Sequence, residues 1–99
     1  MANWHTKETD DLIQAIVELH SVEECYTFFE DVCTIKEIIE IAQRLRVAKL
    51  LDSGMSYQAI SKETGASTAT ISRVNRCLKF HDGGYVKVLD DLDRVYRKK

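Results

Sequence analysis

Tyr57-Gln58-Ala59-Ile60-Ser61-Lys62-Glu63-Thr64-Gly65-Ala66-Ser67-Thr68-Ala69-Thr70-Ile71-Ser72-Arg73-Val74-Asn75-Arg76 is the stretch whose reading decides the fold. It reads as two short helices joined by a tight turn at Gly65. Tyr57 to Thr64 can make two helical turns with Ala59 and Ile60 facing inward. A sharp change of direction after a helix favours a left-handed backbone conformation, which glycine adopts at little cost. Ala66 is small enough to sit inside the turn. Ser67 suits the N-cap of the next helix, because its hydroxyl can accept a backbone N–H two or three residues on. Ile71, Val74 and Leu78 then recur at spacings of three and four, giving one apolar face. Ser61 falls where two steeply crossing helices would approach closely, and its small side chain fits there.

The other face of the second helix carries Ser67, Thr68, Ala69, Thr70, Ser72, Arg73 and Arg76. Short hydroxyl side chains let a helix backbone come close to base edges and phosphates. Ala69, or the methyl of Thr68 or Thr70, can meet a thymine methyl group. The helix N-terminus offers N–H groups and partial positive charge to a phosphate. Arg73 and Arg76 supply charge-assisted contacts. Glycine, cap, apolar spacing and basic residues together describe a helix-turn-helix that lays its second helix in the major groove of double-stranded DNA.

Formal net charge over the 99 residues is −2, which does not by itself point to nucleic acid; the distribution does. Residues 1–40 carry ten acids and two bases, residues 41–81 seven bases and two acids, and residues 82–99 five bases and four acids. The basic excess coincides with the helix-turn-helix and the helix before it. Local charge matters more than the total for phosphate contact. The acidic N-terminal part is expected to face away from DNA.

There is no proline, and the four glycines stand at 54, 65, 83 and 84, where breaks are wanted. No β-branched alternation argues for a sheet, so the chain reads as all-α. A first helix is expected from Thr6 or Thr9 to Leu19, striped by Leu12, Ile13, Ile16, Val17 and Leu19. Ser21-Val22-Glu23-Glu24 is a capping-box start for a second helix, and Thr34-Ile35-Lys36-Glu37 another for a third that runs to Asp52 or Ser53, ended by Gly54. The third helix is apolar over much of its circumference, from Ile35 through Leu51. Such a helix must be buried from several sides, and part of that cover is expected from a second subunit. After Phe80, His81-Asp82-Gly83-Gly84 reads as a break. Tyr85, Val88, Leu89, Leu92, Val95 and Tyr96 then space a last helix over residues 85–96. Arg97-Lys98-Lys99 reads as a frayed, solvated basic end.

A chain of 99 residues reads as a single domain: dimerisation helices over 6–53, a helix-turn-helix over 57–80 and the C-terminal helix. At this size only roughly 60–65% of the unfolded surface is buried on folding, so oligomerisation would help. No apolar run is long enough for a membrane span, and the N-terminus shows no charged-then-apolar signal pattern. A cytoplasmic protein is therefore expected. Cys25, Cys33 and Cys77 are odd in number and lack a C-x-x-C pair, so buried structural thiols are expected rather than disulfides. His5, His20 and His81 show no spacing that supports a metal site. No Ser/His/Asp set, phosphate-binding glycine loop or paired-carboxylate site points to an enzyme. The competing function is a helical protein-interaction module without DNA binding, with the acidic N-terminal half as its surface.

The segment from Thr34 to Leu78 resembles the Trp repressor family of bacteria. The residues that carry the resemblance are Gly65-Ala66-Ser67-Thr68-Ala69-Thr70-Ile71-Ser72-Arg73, with Leu50-Leu51 and Met55-Ser56 upstream. From Ser21 to Tyr85 the chain is more similar still to the Trp-repressor-related YerC/YecD family. That similarity lies in Cys33-Thr34-Ile35-Lys36-Glu37-Ile38, Ala42-Gln43-Arg44-Leu45, Arg73-Val74-Asn75-Arg76-Cys77-Leu78 and Gly83-Gly84-Tyr85. The resemblance implies a six-helix fold and an intertwined homodimer that acts as a transcriptional repressor. It places Ser67, Thr68, Ala69, Thr70 and Ser72 on the groove-facing part of the reading helix, and Tyr57 and Ser61 at first-helix positions that approach DNA. In the Trp repressor the co-repressor's indole lies between two arginines. Arg73 matches one of them, and Arg44 the other after a one-residue gap, which makes the two a candidate effector pocket. Val74 stands where that pocket has a glycine, and Cys77 where it has a serine. A valine there would intrude on a flat ring, and overfilling costs about 1–3 kcal/mol. The sequence therefore disfavours tryptophan as co-repressor, names no other cofactor, and leaves a different small-molecule effector open.

Overall fold

The computed structural model describes residues 4–80 and 83–97. Among them are six helices and no strand: α1 Lys7–Val17, α2 Val22–Val32, α3 Ile35–Asp52, α4 Tyr57–Thr64, α5 Thr68–Phe80 and α6 Gly84–Arg97. The expected break includes His81 and Asp82, which lie outside the described residues, as do Met1–Asn3 of the N-terminus and Lys98-Lys99 of the basic end. No helix among the described residues is long and apolar enough to cross a membrane.

Side-chain caps start the helices where the sequence places them. Thr6 and Thr9 act together: the Thr9 N–H donates to Thr6 Oγ1 at 3.2 Å and the Thr6 N–H to Thr9 Oγ1 at 2.7 Å. Thr6 is thus the cap, and Thr9 closes the box as N3. Thr34 and Glu37 form the same reciprocal pair at 3.1 and 2.8 Å. At α2 the box is displaced by one residue. Ser21 Oγ accepts from the Glu24 N–H at 3.0 Å, but the Glu24 carboxylate accepts from the His20 N–H, not from that of Ser21. Helix α1 stops at Val17, two residues before the expected end. The Leu19 N–H bonds to the Ile16 carbonyl, a tighter turn that unwinds the helix. Helix α6 is one residue longer at each end than expected.

The chain divides into two compact units, residues 1–38 and 39–99. In the first unit no described residue is buried. Leu12, Ile13, Val17, Val22 and Tyr26 are exposed, Val17 by 65% and Val22 by 72%. Leu19, Val22, Cys25, Tyr26, Phe29 and Ile38 line an open apolar cleft of about 500 Å³. Cys25 and Cys33, expected to be buried, are only half-buried here, as is Cys77 in the second unit, and all three are free thiols. The reason for the first two is that α1 and α2 alone offer too little surface to cover them.

The second unit holds the core. Val47, Ala48 and Leu50 of α3, Ile60 of α4, Ala66 of the turn, and Ile71 and Val74 of α5 are buried together. Leu51, Met55, Tyr57, Tyr85 and Leu89 pack against them half-buried. The broad apolar surface of α3 thus resolves into two parts. Its C-terminal half is covered by the chain itself, while Ile39 and Ile41 stay exposed by 61% and 52%. Gly54, at φ +92°, ends α3. The Met55 N–H reaches the Leu50 carbonyl at 3.1 Å and the Gly54 N–H the Leu51 carbonyl at 3.0 Å. This is the paired Schellman closure, with Met55 and Leu50 both at the core. On α6 the charges stay on the solvent side. Asp91 pairs with Lys87 and Arg94, and Arg97 with Asp93 at 3.0 Å. The hydrogen bond from Lys87 holds the Asp91 carboxyl below its ordinary range, with the Lys87 and Arg94 charges adding to it. Lys49 of α3 sits 5.6 Å from the centre of the Tyr96 ring.

Candidate nucleic-acid interface

The α4–turn–α5 unit is built outward from three buried side chains. Ile60, Ile71 and Val74 are at most 2% exposed, and burying each contributes about 1.5–3 kcal/mol. Because Ile71 and Val74 are three residues apart, they fix which side of α5 faces the core. The residues between and before them must then face out. Ser67, Thr68, Ala69, Ser72, Arg73 and Arg76 are all exposed, and Thr70 is half-buried at the edge of the ridge.

The turn is held by a set of backbone and side-chain hydrogen bonds. Gly65 adopts φ +76° and its N–H returns to the Ser61 carbonyl at 2.8 Å. Ser61 Oγ donates to the Ala66 carbonyl at 2.9 Å. Thr64 Oγ1 donates to the Ile60 carbonyl at 2.7 Å and accepts from the Ala66 N–H at 3.1 Å. From α3, Gln43 Nε2 donates to the Thr64 carbonyl at 3.1 Å, and Arg46 pairs with Glu63 at 3.1 Å. Gln43, Arg46 and Thr64 are positioning residues that sequence reasoning missed. A threonine directly before the turn glycine was the available signal for Thr64; nothing local announces the other two. The Arg46–Glu63 pair is half-exposed, so its contribution to stability is about 1 kcal/mol or less. It does neutralise the one acid that α4 carries.

Ser67 caps α5 as expected: its Oγ accepts from the Thr70 N–H at 3.1 Å and lies 3.1 Å from Thr70 Oγ1. The first-turn N–H groups at Thr68 and Ala69 have no acceptor within the helix. They point out of its N-terminus beside three hydroxyls and, further along, two guanidinium groups. An arrangement of donors, small side chains and positive charge on one solvent-facing ridge is suited to a polyanion with readable edges. Lys62, in the last turn of α4, is exposed as well.

Two first-helix candidates sit differently from the ridge. Tyr57 is half-buried against the core, and Ser61 spends its hydroxyl proton on the turn. The candidate effector residues share one neighbour within electrostatic range, and of the two only Arg44 lines the cleft there. Arg44 on α3 and Arg73 on α5 both act electrostatically on the Tyr85 phenol, and Cys77 does too. Burial pushes that phenol's pKa up, Cys77 adds to the rise, and the two guanidinium groups oppose it. Next to it an open cleft of about 560 Å³ is lined by Ile41, Arg44, Leu45, Cys77, Tyr85 and Val88, together with Gly84. Val74, expected to intrude on such a pocket, instead points into the core at 2% exposure, because it shares the inward face with Ile71.

Residues 7–93 match the sequence profile of the family described as Trp repressor protein. A Bacillus subtilis (strain 168) relative, uncharacterized protein YerC, is 55% identical over 84 residues, spanning 85% of this chain and 81% of its own. Among solved structures, a TrpR-like protein from Eubacterium eligens ATCC 27750 superposes with a TM-score of 0.85 at 50% identity, covering 89% of this chain and 91% of that one. A Trp repressor-type protein from Staphylococcus aureus gives the same TM-score at 46% identity, over 90% and 89% of the two chains.

Proposed function

The chain belongs to the Trp repressor family, and from that premise we propose that it is a sequence-specific DNA-binding transcriptional regulator. It represses by occluding its site, as a cytoplasmic homodimer that engages double-stranded DNA through α4 and α5. The observation that carries this reading is the exposed ridge from Ser67 to Arg76, held outward by the burial of Ile71 and Val74.

Each part of the ridge has a role. The α5 N-terminus and the Ser67 hydroxyl receive a phosphate, where the N–H groups and the helix dipole favour negative charge. Arg73 and Arg76 neutralise phosphates and set affinity and salt dependence. Thr68, Ala69, Thr70 and Ser72 lie against base edges, where methyl groups favour the thymine methyl and hydroxyls bond to donor or acceptor edges alike. Tyr57 and Ser61 hold the first helix at the right depth.

The homodimer is supported by the first unit. Its helices carry apolar stripes with nothing buried, and the N-terminal half of α3 shows Ile35, Ile39 and Ile41 to solvent. A second copy supplies the missing cover, and two heads then fall about 34 Å apart on a quasi-palindromic site. Tryptophan is not the co-repressor in this reading, which the Tyr85 ring beside Arg44 in the cleft supports.

Fragments selected from a random duplex pool supply the site for a gel-shift titration. Thr70→Glu adds an acid to the first turn of α5, where the dipole favours it, so the fold survives while the phosphates are repelled. Arg73→Ala removes a cation. Each is expected to weaken binding by about tenfold or more, a cost within the 1–3 kcal/mol of one good contact. Full affinity in both variants would contradict the assignment of the ridge.

A further inference from the structure

Three helices meet at Tyr85. It is the second residue of α6, and it packs half-buried on the core cluster that contains Val47 and Ala48 of α3 and Ile71 and Val74 of α5. Arg44 from α3 and Arg73 from α5 both lie within electrostatic reach of its phenol, and Cys77 on α5 adjoins it. Helix α6 contacts α5, and Cys77 of α5 lines the cleft beside Tyr85. The cleft beside Tyr85 is open and apolar apart from Arg44, so removal of the ring would enlarge an existing hollow rather than let the helices close over it.

We propose that Tyr85 is a positioning residue that sets the reading helix against α3 and α6, an aromatic wedge supplied by the chain itself, so that DNA binding needs no aromatic small molecule. The inference rests on the DNA-binding reading above and adds how the ridge is held. A ridge that reads bases works only when held within about half an ångström of its docking geometry. The N-terminal half of α5 is pinned by Ile71 and Val74, and Tyr85 pins the half beyond them, where Arg76 and Cys77 lie. The ring's shape carries the function, and its hydroxyl is secondary.

The test compares wild type, Tyr85→Phe, Tyr85→Ala and Tyr85→Leu on a selected duplex, with and without millimolar p-cresol, a one-ring phenol. Apolar hollows left by deleted side chains accept guests of this size. Wild type should bind with nothing added, and Tyr85→Phe should stay within about threefold of it, while Tyr85→Ala and Tyr85→Leu lose about tenfold or more. p-Cresol should restore most of the Tyr85→Ala loss and little of the Tyr85→Leu loss, since leucine occupies the space. Wild-type affinity in Tyr85→Leu, a Tyr85→Ala loss that p-cresol leaves untouched, or a wild type that needs an added aromatic compound would each overturn the proposal. Should Tyr85→Ala not fold, Tyr85→Leu decides alone. If wild type ignores every duplex at low salt, the DNA-binding reading fails, and the wedge is then read from melting temperature. p-Cresol raising the Tm of Tyr85→Ala but not of wild type supports it; equal shifts refute it.

Discussion

The described residues of 39–97 bury seven side chains together, from Val47 to Val74, whereas those of 4–38 bury none. The composition of the two regions does not explain this, since α1 and α2 carry as regular an apolar stripe as α5 does. What differs is geometry within each unit. In the second, the turn at Gly65 folds α5 back so that Ile60, Ala66 and Ile71 meet under α3. In the first, Leu12, Ile13, Val17, Val22 and Tyr26 remain in water. The second region has a buried core of its own, from which the proposed reading helix projects. The first has the surface of a domain core cut open, and the proposed dimer is what closes it.

That contrast can be broken most forcefully in the core. Ile71→Ala removes a fully buried side chain and is expected to cost about 2–5 kcal/mol, a loss that denaturant unfolding should register at every protein concentration. Tyr26→Asp should behave differently. It places a charge on an exposed apolar face, so the dimer dissociates and the melting temperature becomes strongly concentration-dependent. Sedimentation equilibrium should then show the dissociated chain. If Tyr26→Asp sediments like wild type, the first region is not the subunit interface.

Smaller effects sharpen the account of the head. Gly65→Ala forces an L side chain into φ +76°, at about 1–2 kcal/mol, although nothing lies within 4 Å of the added carbon. The penalty is therefore purely of the backbone, and Gly65→Asn should recover part of it. Ser67→Ala deletes the α5 cap and should cost about 1 kcal/mol, with a larger proportional fall in DNA affinity than in stability, because the same hydroxyl lies on the ridge. The smallest effect concerns Tyr85. Its folded pKa is raised by burial, so its contribution is fully present below the ordinary phenol range and fades as pH rises through the folded value. Tyr85→Phe should flatten the alkaline limb of a stability–pH curve.

Much of this fold was legible in the sequence because its signals are local. Thr6, Ser21, Thr34 and Ser67 each bond the N–H three residues on. Gly54 and Gly65 end helices in the left-handed conformation, and the Ile71–Val74 spacing fixes the inward face of α5. The part that was not legible depends on residues far apart in the chain. Gln43 reaching the Thr64 carbonyl, Arg46 meeting Glu63, and Tyr85 lodging near Arg44 and Arg73 leave no periodic trace. Val74 shows the same limit from the other side. Its character predicted a clash in a pocket, but only the packing of α5 on α3 and α4 shows that it points into the core. For the candidate interface, the spacing of Ile71 and Val74 told which side of α5 faces outward, but nothing in the sequence could show that Ser61's hydroxyl is already engaged in the turn.

The central claim, that the outward ridge of α5 meets DNA, is tested most directly by titrating isotopically labelled protein with a selected duplex and following backbone amide resonances. The account predicts the largest perturbations at Ser67 through Arg73, with the amides of α1 and α2 nearly unmoved. Perturbations confined to α1 and α2, with those of α5 unchanged at saturation, would contradict it.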